Sequence, residues 1–509
     1  MRSNRPHERA HHPLAGSRLR AAFLALVPSV LVIPALAGPP AVPAAAALAL
    51  SPCQIEHPLR LTVVPADCGV LEVPENPQEP GGRRIGLRVA RVAAINRRKQ
   101  PDALFVLAGG PGQAASAFYA SVAGAFGRIQ RERDIVLIDQ RGTGASNALD
   151  CAEDEERLYQ ASDAQILAAT QRCLDLLRAR ASPAYYTTSL AVSDLERVRA
   201  ALGYERINLY GVSYGTRVAQ QYLRRFPARV RTLILDGVVP PELAVGPAVP
   251  IDAEQALRGI LRRCAADKDC SGHFADPTRD YEAVRTHLAQ HAVPLRLADP
   301  SSGAPQELDF NQDHLASVLR LGGYSADYAA LLPLLLHAAA GGDFAPLGAQ
   351  FLWLERSYAG IAVGMNNSVV CAEDVPFYDT GVIDRARLAA TFMGTAQLDA
   401  LTLICRIWPH GPVDADLHAP LHSEVAALLL SGGDDPVTPP ANAASAARGL
   451  SHALSLVLPG FGHGQLTAPC MDRLLARFLE LGSVSGLDTS CTRNARPMPF
   501  FTSVNGPAP

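Results

Sequence analysis

The amino-acid sequence predicts an α/β architecture, a mostly parallel sheet covered on both faces, with an inserted, mainly helical lid. Three observations predict it. Short, continuously apolar runs each stop at or close to Gly or Asp, namely 103–107, 135–138, 207–210 and 232–235. Helix-period stretches such as 193–202 and 216–225 separate some of them. After Asp236-Gly237 this rhythm gives way to Leu/Ala-rich helical patterns such as 325–340, then returns with 425–430 and 454–458. Unbroken apolar strands alternating with helices mark a parallel sheet buried on both sides.

Taken in order, the chain opens on a basic segment with Arg2, Arg5, Arg9, Arg18 and Arg20. The apolar run 21–37 follows, with Ala35-Leu36-Ala37 as a small-x-small cleavage site and a second candidate at 44–46. This is the anatomy of a secretory signal, expected over residues 1–37. Pro28 and Pro34 interrupt the run, which argues against a membrane anchor. A secreted or periplasmic location and no stable membrane association are therefore expected. All ten cysteines lie beyond the signal. An even count in an exported chain reads as disulfides, and neighbour-to-neighbour pairing is the simplest framework. No Cys-x-x-Cys spacing occurs, and only Cys270 has a His three residues on, His273. A metal site is not expected, and without a phosphate-binding loop neither is a cofactor.

The segment 53–96 alternates polar and apolar residues, as in 59–64 and 85–92, with a Pro-Gly-Gly turn at 80–82. Antiparallel strands are expected there. The division that results is a first core segment over 53–240, a lid over 241–418 and a second core segment over 419–495. A formal net charge of −3 over 509 residues gives no electrostatic footprint for nucleic acid. The sequence leaves the oligomeric state open.

The chemistry concentrates in four loops. Residues 207–215 read INLYGVSYG, placing Gly211-x-Ser213-x-Gly215 between an apolar strand and a helix. That frame is a nucleophile elbow, in which flanking glycines avoid clashes and the serine Oγ stands clear of the sheet. The N–H of Tyr214, at the helix N-terminus, is a candidate oxyanion donor. Residues 104–112 read LFVLAGGPG, and the N–H of Gly110 is the second candidate donor. Beyond the lid, 428–440 read LLLSGGDDPVTPP, and both Asp434 and Asp435 qualify by position as a catalytic acid. His463, in the Gly-rich end of LVLPGFGHG at 456–464, is placed to act as the base. The chain order serine, acid, histidine is the one a triad on this fold requires.

With these residues placed, the chain resembles the prolyl aminopeptidase and tripeptidyl aminopeptidase family of α/β-hydrolase serine peptidases. The stretches that carry the resemblance are Cys68 to Pro74, Ala108-Gly109-Gly110-Pro111-Gly112, Asp139 to Ser146, Gly211 to Thr216, Asp435 to Pro440, and Gly462-His463-Gly464. It spans roughly 55–240 and 420–495. It departs at Ala108, where many relatives carry His. The resemblance implies the α/β-hydrolase fold, favours Asp435 over Asp434, and tilts toward the secreted tripeptidyl branch. It implies release of short peptides or single residues from free N-termini, with Pro or small apolar residues preferred. Such an exopeptidase needs an anion for the substrate ammonium, and Glu373 and Asp374 in the lid are the candidates. Arg141 is expected to brace its loop. An exported carboxylesterase or lipase with the same triad is the alternative reading.

Overall fold

In the computed structural model, which describes residues 47–151, 161–358 and 360–507, nine strands form one sheet. They are β1 (Ser51–Glu56), β2 (Val63–Pro74), β3 (Arg84–Val92), β4 (Leu104–Leu107), β5 (Ile135–Ile138), β6 (Ile207–Val212), β7 (Val230–Asp236), and, after an insertion, Ala426–Gly432 and Ala453–Leu458. The insertion contributes a separate hairpin, β8 (Val293–Ala298) with β9 (Pro305–Phe310), so the last two sheet strands are β10 and β11. The signal expected over 1–37 lies outside the described residues. Among the described residues no helix is long and apolar enough to cross a membrane.

The sheet order is β1-β2-β3-β5-β4-β6-β7-β10-β11. β1, β2, β3 and β5 pair antiparallel in turn. From β5 across β4, β6, β7 and β10 to β11 every pairing is parallel. The apolar runs at β4, β5, β6 and β10 are buried at every position. Apolar cores fill both faces. One holds Leu107, Leu209 and Leu235, and the other Val106, Tyr210 and Ile234. From β4 the chain steps to β5 on one side, then returns to β6 on the other. This reversal is the topological switch point, and the crevice beyond the carboxyl ends of β4 and β6 is where ligands bind in such sheets.

The insertion between β7 and β10 builds its own core around Leu257, Tyr281, Phe310, Leu336 and Phe351. Its helix Val363–Glu373 also packs Met365, Val369 and Cys371 into the core of the sheet. Two local expectations change. Residues 59–64 do not form a continuous strand. Arg60 adopts φ 55° in a turn, and β2 starts at Val63. The apolar stretch 325–340 divides into helices Ala326–Ala329 and Leu332–Ala340, because Pro333 fits only the first turn of a helix. The insertion is mainly helical and also carries the β8–β9 hairpin.

The cysteines pair as neighbours: Cys53–Cys68, Cys151–Cys173, Cys264–Cys270, Cys371–Cys405 and Cys470–Cys491. The β1–β2 hairpin and the α-helical insertion are each cross-linked within themselves. Such links act mainly by restricting the unfolded chain.

Candidate functional site

Ser213 sits at the turn between β6 and the helix Tyr214–Arg225, with φ 56° and ψ −126°. A serine held at positive φ is strained and persists only where its surroundings fix it. Here the Ser213 N–H donates to the Asp236 carbonyl at the end of β7, at 2.9 Å. The flanking glycines are obligatory on steric grounds. A Cβ on Gly215 would lie 2.3 Å from the Leu107 carbonyl oxygen, and one on Gly211 would lie 2.4 Å from that of Gly215.

Asp435 and His463 meet at the ends of β10 and β11. His463 Nδ1 lies 2.9 Å from Asp435 Oδ2. The other carboxylate oxygen accepts the N–H groups of Val437 and Thr438, at 2.9 and 2.8 Å. Thr438 Oγ1 donates to Asp435 Oδ2 at 2.8 Å and lies 3.0 Å from His463 Nδ1. Asp435 is almost fully buried, and these N–H and O–H donors fix the orientation of its carboxylate toward His463. Asp434 turns the other way and pairs with Arg263 at 3.3 Å. Burial disfavours an imidazolium at His463, but the charge and hydrogen bond of Asp435, helped by Asp236, hold its pKa above the usual 6.5. With Nδ1–H directed at Asp435, the neutral tautomer leaves Nε2 free to take a proton.

Ser213 and His463 line one cavity of about 460 Å³, together with Gly109 and Gly110. Gly110 has φ 104° and precedes a cis Pro111. Gly109 comes so close to the serine that a Cβ there would stand 3.1 Å from Ser213 Cβ. The Tyr214 N–H belongs to the first turn of its helix, where N–H groups have no intrahelical acceptor.

The insertion completes the site. Ala362 N donates to the Gly112 carbonyl at 3.0 Å, and Asn366 Nδ2 to that of Pro111 at 3.2 Å, clamping the Gly-Gly-Pro-Gly loop. On the opposite wall His463 N donates to the Tyr324 carbonyl at 2.8 Å, and the two rings lie 5.0 Å apart at a tilt of 43°. Asp236 receives the Gln465 N–H on both oxygens, at 2.8 and 2.9 Å, and the Tyr210 hydroxyl at 2.8 Å. It thereby ties the histidine loop to β7. Burial raises its pKa to about 6.

Glu373 and Asp374 do not reach this cavity. Both are buried and engaged from within. Asp374 receives Arg217 through two nitrogens, at 3.1 and 2.7 Å, and the Val245 N–H at 2.7 Å. Glu373 accepts the Thr188 N–H at 2.6 Å and its hydroxyl at 2.7 Å, with Arg217 at 3.7 Å. The Thr188 hydroxyl in turn lies 2.7 Å from that of Tyr214. The helix Val363–Glu373 packs against the sheet and points both carboxylates at Arg217 on the elbow helix, so they fasten insertion to core instead of facing a substrate ammonium. Arg141 braces as expected, bonded twice to Asp194 at 2.7 and 2.9 Å and to the carbonyls of Glu75 and Tyr185.

Sequence reasoning passed over Thr438, Tyr324, Asp236 and Arg320. Thr438 carried a local signal, since Asp-x-x-Thr is a side-chain-capped turn. Asp236 and Tyr324 have none, because they meet Gln465 and His463 from distant elements, and Arg320's bond to Tyr324 four residues on does not announce the cavity. No cluster of metal-ligating side chains occurs among the described residues.

Fold and site together define an α/β hydrolase, and residues 102–272 match the family of the alpha/beta hydrolase fold. More particularly, residues 390–491 match the TAP-like proteins. It is 26% identical over 483 residues to the serine protease Hip1 of Mycobacterium tuberculosis (strain H37Rv), across 87% of this chain and 90% of that one. It is 31% identical to the tripeptidyl aminopeptidase of Streptomyces lividans, over 35% of this chain and 36% of that enzyme. Carboxylesterase B of Mycobacterium tuberculosis (strain CDC 1551) is 34% identical over 35% of this chain and 37% of its own length.

Proposed function

We propose that the protein is an exported serine exopeptidase that releases short peptides or single residues from free N-termini through an acyl-enzyme. Ser213 is the nucleophile, His463 the general base and Asp435 its orienting acid. The N–H groups of Gly110 and Tyr214 receive the oxyanion. The observation that carries this reading is the Asp435–His463 pair opening onto the same cavity as the strained Ser213. The peptidase assignment is supported by the serine protease relative aligned over nearly its whole length.

In this reaction His463 Nε2 takes the Ser213 proton as Oγ attacks the scissile carbonyl, then delivers it to the departing amine. Water repeats the sequence on the acyl-enzyme. Preorganised N–H donors at the oxyanion cost no reorganisation as charge develops, which makes them a large part of the catalysis.

An esterase reading is favoured by one observation: among the described residues, none of the side chains lining the cavity is a carboxylate that could meet a substrate ammonium. Paired chromogenic substrates decide between the two. Free and N-acetylated Pro-, Ala- and Ala-Pro-Ala-type anilides would be compared with a short-chain ester, with Ser213→Ala as control. We expect hydrolysis of the free anilides and little of the acetylated ones. Hydrolysis of the ester alone would overturn the peptidase reading.

The pH profile follows from the histidine. His463 acts only when neutral, and its pKa lies above 6.5, so kcat/KM is lost on acidification with a midpoint above 6.5. Asp236→Asn removes one of the charges that raise this pKa and should move the acid limb to lower pH. A limb that stays in place would separate Asp236 from the histidine.

A further inference from the structure

Among the described residues that line the cavity around Ser213, the one charged side chain other than His463 is a cation. Arg320 lies in the last turn of the helix Gln312–Gly322 and faces the cavity with Ser213, Tyr324 and His463. The fully buried arginines are neutralised, as in Arg141–Asp194, Arg133–Asp102 and Arg217–Asp374, whereas Arg320 is half-buried. Arg320 has no such partner among the described residues. Its Nη2 donates to the Tyr324 hydroxyl at 3.3 Å, and its guanidinium lies 5.9 Å from the centre of that ring. Its Nε is buried without an acceptor. Arg320 also borders an adjoining cavity of about 590 Å³ that contains Asp313, Glu355 and Asp399, yet it forms no ion pair with any of them.

A buried, unsatisfied guanidinium N–H beside a reactive serine is unfavourable unless something else accepts it, and carboxylates match its fork best. The side of the site follows from the chemistry. The departing atom collects its proton from the histidine, so the leaving group lies on the His463 side. Tyr324, over which Arg320 lies, has its ring against that of His463.

We propose that Arg320 is a specificity-determining residue that binds a carboxylate on the leaving group. This rests on Ser213 and His463 having the roles given above. Two sources share the chemistry: the terminal carboxylate of a short peptide, or an acidic side chain on the first leaving residue. The apolar part of the cavity, including Phe118, Val122 and Leu466, remains for the acyl portion.

The test compares kcat/KM within matched pairs, using the mature protein, Arg320→Gln and Arg320→Lys. Ala-Pro-Ala-Ala as free acid and as amide reads the terminal carboxylate. Amidated Ala-Pro-Ala-Glu and Ala-Pro-Ala-Gln read the side chain. The acetate esters of glycolate and glycolamide read the same preference if peptides are not cleaved, so failure of the peptidase reading stays distinct from failure of this one. A charge-assisted contact to a half-buried guanidinium predicts an anionic preference of roughly tenfold or more in at least one pair. In Arg320→Gln that ratio should fall to about one, with Arg320→Lys between. An Arg that served only to support Tyr324 would lower both members of a pair alike. A wild-type ratio near one in all three pairs, or a ratio retained in Arg320→Gln, would overturn the proposal.

Discussion

Ser213→Ala should lower kcat by about 10⁶-fold on every substrate the enzyme accepts, the magnitude seen when a triad nucleophile is removed and only binding and the oxyanion donors remain. The substitution deletes one oxygen from a side chain whose backbone is held by Asp236 and Thr216, so the fold and melting temperature should stay close to wild type. Asp435→Asn should cost about 10⁴-fold, because an amide at that position holds His463 in the wrong tautomer. The contrast matters. A loss in Ser213→Ala no larger than in Asp435→Asn would place the nucleophile elsewhere. Active-site titration with an organophosphonate gives the check, with label on wild type and Asp435→Asn but not on Ser213→Ala.

Arg217→Met should be the most damaging substitution away from the reacting atoms. Arg217 is buried between Asp374 and Glu373, two carboxylates that are themselves buried. Removing one partner of such a group leaves charge without compensation, typically about 3–5 kcal/mol of lost stability. The loss is measurable as a lower denaturation midpoint in urea. The neighbouring Glu373 makes it depend on pH. Burial raises its pKa to about 7, against the opposing pull of Arg217 and Thr188. The folded protein keeps this proton up to about pH 7, whereas the unfolded chain releases it near its ordinary 4.5. Stability from this group is therefore full below 4.5 and declines as pH rises through 7. Glu373→Gln should flatten that slope while keeping bonds to Thr188. Arg217→Met should steepen it, because the cation that pulls the Glu373 pKa down is then gone. Equal stability of Arg217→Met and wild type across this range would refute the ion-pair account.

The same cluster explains why carboxylates near a conspicuous motif misled a reading from sequence. Cys371-Ala372-Glu373-Asp374 looks like an acidic turn beside a disulfide. In the folded chain it ends a helix packed against the sheet, and its charges are consumed by an arginine more than 150 positions earlier. Nothing in the spacing of Arg217 and Asp374 announces that contact.

What the sequence determined by itself is local. Unbroken apolar runs are strands buried on both faces. Gly211 and Gly215 are small because a Cβ at either would strike a carbonyl oxygen, and that tight turn lifts Ser213 out of the sheet. Loops with Asp and His after the last two strands mark where side chains can emerge. Tertiary structure alone decided the rest. It chose how the insertion sits, so that Ala362 and Asn366 clamp one wall of the cavity while Tyr324 and Arg320 form another. It set Asp236 under the histidine loop and turned Glu373 and Asp374 inward. The reason is physical. Steric and periodic rules act between neighbours along the chain and are written in short motifs, whereas ion pairs and cavity walls join residues far apart in sequence, and only packing brings them together.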